Sequence, residues 1–392
     1  MSTQPPTKRP GARKKYKNNP TSGLLNGVLE TLSLPTLGGS ERDIIPEDLA
    51  YIGSYNWVDS PKPTIVVPGS PRIWVDRRMP MRVPLDSGKN FIDQNGHRMK
   101  KFTLLPLIKA VQDLTDQGVT QKFDWPSVDF VTDRGRLRKL LAWAEGLSDQ
   151  WRMDTQLAGA NTVLLSGRAP VTKETSGRST SYGFNYEDAS THPVRGLENE
   201  PSHHRIIAYN FDGLRMVVRF EVDACLPYDA ASSAPPFRNT SIGGRVTKKK
   251  PSSGTPSNPP DVKIIRAGSP EVPQTHLLEI KTHNSIRMNW PKTYPQLYLS
   301  QTPHIHHAFH EDGVFTSVKK FTLGQSELAE VDKSAQVGFK KLRKLLDYIQ
   351  SLVLKHGTAR ISFVCVGKTL SVYRIPQGES CLPEDALALF VA

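Results

Sequence analysis

From about residue 45 onward, apolar residues either alternate with polar ones or recur every three to four positions. "PTIVVPGSPRIWVD" (63–76) sets two β-branched runs on either side of a Pro-Gly turn, which predicts two strands. "FTLLPLIKAVQDLTDQG" (102–118) has the helical period and stops at Gly118, a suitable C-cap. "RGRLRKLLAWAEG" (134–146) puts Leu137, Leu140 and Leu141 on one helical face, and "NTVLLSGR" (161–168) reads as a strand. "RIIAYNFDGLRMVVRFEVDACL" (205–226) predicts two strands joined at Asp212-Gly213, and "HLLEIKTH" (276–283) one more. "GFKKLRKLLDYIQSLVLKHG" (338–357) keeps Phe339, Leu342, Leu345, Leu346, Ile349, Leu352 and Val353 on one helical face, and Gly357 ends it. "ARISFVCVG" and "LSVYRI" predict a closing hairpin. Strands and helices interleave without βαβ regularity, so the expected class is α+β, or mixed α/β.

Two segments break the pattern. Residues 1–22 carry Lys8, Arg9, Arg13, Lys14, Lys15 and Lys17 and no acid, and residues 1–44 are expected to be a disordered basic tail. Residues 229–262, rich in Pro, Ser, Gly and Lys, read as a disordered insertion. What remains, 45–392, is expected to be a single domain. Residues 1–22 and 236–266 each carry +6 of the net charge of +13, which points to a polyanionic partner or a nuclear-import signal.

With 37% hydrophobic residues in 392, the chain can build a substantial core. No apolar run approaches the roughly 18 residues that span a bilayer, so no membrane partner is expected. The polar N-terminus is unlike a secretory signal. Cys225, Cys365 and Cys381 show no CxxC spacing, which fits a reduced compartment and argues against a cysteine zinc site. "HIHHAFH" (304–310) reads as a strand with ordinary histidines rather than a ligand set.

The chemistry lies in two strands. Glu221 and Asp223 are two apart in "RFEVDACL", and Glu279 and Lys281 two apart in "HLLEIKTH", so each pair shares one strand face. Were the strands neighbours, three carboxylates and one ammonium would converge. Such carboxylates repel one another unless a divalent cation joins them, and Mg²⁺ or Mn²⁺ takes this kind of all-oxygen set. Charges on a solvent-facing strand, or a simple salt bridge, remain the alternative from these two pairs alone.

Upstream lie Arg134 at a helix start and "GFNYE" (183–187), a Gly-Φ-x-Φ-Glu pattern. In this order, with Glu221-Val222-Asp223, Glu279-Ile280-Lys281 and Gln296, these motifs resemble the DXO family of decapping and 5′→3′ exoribonucleases, from about residue 100 to the C-terminus. The resemblance implies a PD-(D/E)XK nuclease-like core of twisted mixed β-sheets flanked by helices. It implies metal ligation by Asp223, Glu279 and the Ile280 carbonyl, with Glu187 and Glu221 holding metal-bound waters or a second cation. Lys281 would position the attacking water, and Arg134 and Gln296 would grip a phosphate. The substrates implied are RNA 5′ ends (caps, 5′-triphosphates and NAD-type caps), and the setting is RNA quality control in the nucleus, with the cytoplasm as a second site. The chain departs from the family at Asp133, where a Trp is usual, at His283, where a Ser is usual, and in its long insertion. An acid at 133 would be expected to weaken the hold of Arg134 on phosphate. Two rival readings stay open: a DNA endonuclease of the wider PD-(D/E)XK group, and a scaffold that stabilises a 5′→3′ exoribonuclease.

Overall fold

The structure is a computed structural model that describes residues 19–39, 41–91, 93–167, 172–176, 181–198, 200–228, 261–266, 271–378 and 380–391. Among these residues, two twisted sheets of mixed strand direction carry the fold. The larger has eleven strands, in the spatial order Val28–Leu32, Thr369–Arg374, Ile361–Gly367, Asp149–Ala158, Thr162–Gly167, Phe130–Asp133, Leu214–Val222, Ser202–Phe211, Pro46–Trp57, Thr64–Val67 and Lys263–Arg266. The smaller has seven, with Leu277–His283 at its centre between Ala224–Cys225 and His304–Glu311. The predicted mixed α/β class is the observed one.

The apolar stripes read from the sequence are the buried faces. On one side of the large sheet lie the helices Arg134–Ala144, Trp290–Ser300 and Ala329–His356. The last buries the seven residues of its predicted face. It begins at Ala329, ahead of the Gly338 start expected from the pattern, because Glu330 and Asp332 favour a helix N-terminus while adding nothing to an apolar stripe. Gly357, at φ +57°, stops it. The helix Leu105–Asp116 covers the opposite face. Among the described residues, no helix is long and apolar enough to cross a membrane.

The disordered-tail expectation needs correction over its second half. Val28–Leu32 adds an edge strand to Thr369–Arg374, and Ile44 is buried with its N–H donated to Gln336 Oε1 at 2.9 Å. A five-residue strand is too short to show a period, and its partner lies at the far end of the chain. Residues 1–18 of the tail and 229–260 of the expected insertion lie outside the described residues. At the insertion's end, Val262 is buried and Lys263–Arg266 pairs in parallel with Thr64–Val67.

One polar contact fixes the centre of the large sheet. Arg219, fully buried, donates Nε to Asp133 Oδ1 at 2.6 Å, and Nη1 to Tyr55 Oη at 3.0 Å and to the Thr103 carbonyl at 2.8 Å. Asp133 and Arg219 are register partners on adjacent parallel strands. Asp133→Ala is expected to cost about 3 kcal/mol of stability, because it leaves a buried guanidinium without its anion. Replacing both residues, Asp133→Leu with Arg219→Met, should recover part of that loss. Urea denaturation of the three proteins checks both outcomes.

Candidate active site

The site forms where the chain passes from one sheet to the other. Leu214–Val222 belongs to the large sheet and ends just past Glu221; Ala224–Cys225 belongs to the small sheet and pairs antiparallel with Leu278 and Leu277. Asp223 is the single residue between them. The two acidic strands therefore meet over only two rungs, and Glu221 lies in a different sheet from Glu279. Asp223 closes the junction by accepting the Ile280 N–H on Oδ2 at 2.8 Å. Glu187 arrives on the short helix Gly183–Ser190. Tyr186, fully buried against Phe315 and Trp74, anchors that helix to the small sheet.

Glu279 is 2% exposed and is the hub of the site. Its Oε1 accepts from Lys281 Nζ and from Gln296 Nε2, and its Oε2 from Arg134 Nη1 at 3.3 Å. Arg134 also reaches Ser300 Oγ at 3.2 Å and the Glu221 carbonyl at 3.4 Å. The two residues expected to grip phosphate are thus spent on Glu279 here, because a buried carboxylate must find donors. The expected conflict between Asp133 and Arg134 does not arise, since the Asp133 carboxylate faces Arg219.

Charge crowding sets the protonation of the cluster. Burial, reinforced by Asp223, holds Glu187 well above the usual carboxylate range. Desolvation by the surrounding protein and then Asp223 push Glu221 up to about 7, although its side chain is exposed to solvent. Burial and then Glu279 push Asp223 up to about 7. Burial alone would raise Glu279 too, but Lys281 and Arg134 outweigh it and hold it low. Lys281 is raised: burial opposes its charge, and Glu279 with Asp223 prevails.

An all-oxygen set with excess negative charge is the donor chemistry of a hard divalent cation. The residues fit such an ion by type and by charge. Among the described residues, no three His, Cys, Asp or Glu side chains stand in a ready-made ligand arrangement. Glu279 faces its three donors and Asp223 faces the Ile280 amide, so a cation must draw both carboxylates toward itself.

Two hollows flank Glu187. One of about 90 Å³ lies on the Glu221, Asp223 and His203 side. The other, about 510 Å³, is lined by Lys281, His283 and Gln296 together with Arg138, Phe184 and Lys292. Sequence reasoning missed the last three. The available signal was periodicity: Arg138 is one turn beyond Arg134, and Lys292 is one turn before Gln296. Five of the six tryptophans are buried and Trp290 packs on Phe321, so the half-exposed Phe184 is the ring that faces this hollow. A hollow of about 650 Å³ beside Asp48–Ile52 and Thr120–Asp124 contains none of the carboxylate cluster. His306, His307 and His310 are buried strand residues, as expected.

The same overall fold occurs in Rai1 and Dxo1 proteins of known structure. Scheffersomyces stipitis Rai1 in complex with (3′-NADP)+ and calcium ion aligns with a TM-score of 0.57 at 13% identity, over 93% of this chain and 98% of that one. Candida albicans Rai1 in complex with pU5-Mn2+ aligns at 0.55 and 13%, over 92% and 99%. K. lactis Dxo1 in complex with manganese aligns at 0.53 and 11%, over 90% and 97%. The architecture expected from the motif resemblance is therefore the one present. No curated protein matches the chain in sequence. The chain belongs to the family described as Domain of unknown function (DUF8563), which matches residues 45–387.

The raised carboxylates give a signed pH dependence. Between about pH 4 and pH 7 the folded protein keeps protons on Glu221 and Asp223 that the unfolded chain has released, so their contribution to stability falls as pH rises through that window. Glu221→Gln combined with Asp223→Asn removes this term. The variant should gain on the wild type as pH goes from 4 to 8, and thermal melts across that range measure the difference. A difference that shrinks with rising pH would contradict the assignment.

Proposed function

We propose that this protein is a divalent-metal-dependent hydrolase of RNA 5′ ends, acting on 5′-triphosphate, incompletely capped and NAD-capped RNA and degrading RNA 5′→3′ from the same site. One observation carries the reading: Glu187, Glu221, Asp223, Glu279 and Lys281 form one interacting charge cluster, bounded by Arg134 and Gln296, in a chain with the Rai1/Dxo1 fold. The ligands in the solved relatives, (3′-NADP)+ with calcium in one and pU5 with Mn2+ in another, support the substrate and ion classes. The basic N-terminal residues support a nuclear site of action, with the cytoplasm as a second.

Asp223, Glu279 and the Ile280 carbonyl would hold Mg²⁺ or Mn²⁺, with Glu187 and Glu221 around it. When bound, the ion supplies Lewis acidity and lowers the pKa of water. The chain's own groups do the rest. Lys281, kept charged beside Glu279, orients a water by hydrogen bonding and offsets negative charge growing on the phosphate. Arg134 and Gln296 are held in place by Glu279, and with that carboxylate ligating an ion they would be free to donate to phosphate oxygens.

The test incubates the protein and Mg²⁺ or Mn²⁺ with 5′-triphosphate, 5′-monophosphate, guanosine-capped and NAD-capped RNA, and identifies the products. The wild type should release 5′ products. Asp223→Asn with Glu279→Gln should fold and bind RNA with reduced stability, because Arg134 and Lys281 lose their shared anion, and should lose activity about a thousandfold or more. Equal rates in variant and wild type would remove this cluster from catalysis. No product from any of the four RNAs would favour a scaffold for a 5′→3′ exoribonuclease, a reading to which the engagement of Arg134, Lys281 and Gln296 by Glu279 lends some support.

A further inference from the structure

The helix Trp290–Ser300 ends inside the protein, with Leu299 and Ser300 both buried. The last carbonyls of a helix have no partner within it and need donors from elsewhere. Tyr209 Oη donates to the Leu299 carbonyl at 3.0 Å. Gln274 Nε2 donates to the Ser300 carbonyl at 3.1 Å and to the Gln301 carbonyl at 2.8 Å. Gln274 is oriented in turn by Arg205, whose Nε donates to its Oε1 at 2.7 Å. Arg205 is buried and lies over the Tyr51 ring, 4.4 Å from the centroid. The Gln274 amide therefore has one orientation, oxygen toward the guanidinium and nitrogen toward the helix end.

This clamp sets Ser300, and Ser300 touches both residues expected to hold phosphate. Its hydroxyl has one proton, donated to the Gln296 carbonyl at 2.7 Å. Thr302 Oγ1, at 2.8 Å, is then a donor to Ser300. The other lone pair accepts from Arg134 Nη1 at 3.2 Å. Arg134 thus has two close partners of different kinds. Glu279 takes a hydrogen bond and neutralises the charge, whereas Ser300 takes a hydrogen bond and leaves the charge unspent. The remaining contacts of Arg134 are longer: 3.4 Å to the Glu221 carbonyl, and 5.4 Å to the Phe220 ring centroid.

Resting on the hydrolase reading above, we propose that Ser300, set by Gln274, is a positioning residue that keeps Arg134 in place when Glu279 no longer holds it, so that the arginine meets the RNA 5′-phosphate with its charge unspent. Ser300 touches no reacting atom. It acts through the guanidinium of Arg134 and the backbone of Gln296.

The full chain carrying Glu279→Gln reproduces the released state without a metal, because the substitution removes the anion facing Arg134 and nearly keeps its shape. Fluorescence anisotropy in metal-free buffer compares 5′-monophosphate with 5′-hydroxyl RNA of one sequence. Glu279→Gln should prefer the phosphorylated RNA by about tenfold or more, the worth of one charge-assisted hydrogen bond. Adding Ser300→Ala should cut the preference to about threefold or less and leave affinity for 5′-hydroxyl RNA within about twofold. Gln274→Glu is the second variant: it keeps an acceptor for Arg205, removes the donor to the two helix carbonyls, and should lower the preference in the same direction. Independently of Glu279→Gln, kcat on 5′-monophosphate RNA with Mg²⁺ or Mn²⁺ should fall about tenfold in Ser300→Ala. The same substitution should cost no more than about twofold once Arg134→Met is present, whereas a merely structural defect would cost the same in both backgrounds. No phosphate preference in Glu279→Gln, a preference unchanged by both added variants, or equal losses of kcat with and without Arg134 overturns the proposal. If the wild type hydrolyses no RNA but the preference appears and is lost as stated, the positioning role stands and the hydrolase reading falls.

Discussion

Glu279 is a carboxylate with 2% exposure, and the site is arranged around the need to satisfy it. Burying such a charge is unfavourable by several kcal/mol unless donors and counter-charges meet it. Three elements supply them: the Arg134 helix, the Gln296 helix and the strand that carries Lys281. Because each donor comes from a different part of the chain, meeting this one requirement fixes two helices and a strand relative to one another. Asp223, held by the Ile280 amide, completes the arrangement at the point where the chain changes sheets.

The Asp133–Arg219 pair acts as a second clamp on the same region. Arg219 is two residues from Glu221, and Asp133 is the residue before Arg134. Their contact locks the strand bearing one carboxylate to the helix bearing the main cation. An acid beside Arg134 could have competed for it, yet the acid is already neutralised by a buried partner.

Much of the local structure was legible. The helices at 105–116 and 134–144, the hairpin turning at Asp212-Gly213 and the apolar face from Phe339 to Val353 follow from period and turn chemistry alone. Turn residues with positive φ, such as Asp212 and Gly213, act within a few positions of themselves. The edge strand Val28–Leu32 was missed because its only evidence is a partner more than three hundred residues away. Gln336 gave no sign of holding Ile44 for the same reason.

For the site, the sequence determined which residue types could do the chemistry and their order: Arg134, Glu187, Glu221, Asp223, Glu279, Lys281, Gln296. Spacing of two in a strand is a local property, so the face shared by Glu279 and Lys281 could be read directly. Only the tertiary structure decided that Glu221 ends one sheet while Asp223 sits at the change to the other, that Glu187 rides on a helix, and that Arg134 and Gln296 point at Glu279. It also brought Arg138 and Lys292 to one hollow. The physical reason is common to all of these. Coulomb forces and desolvation depend on distance in space, and separations of 17 to about a hundred and fifty residues along the chain carry no information about that distance until the sheets and helices have packed.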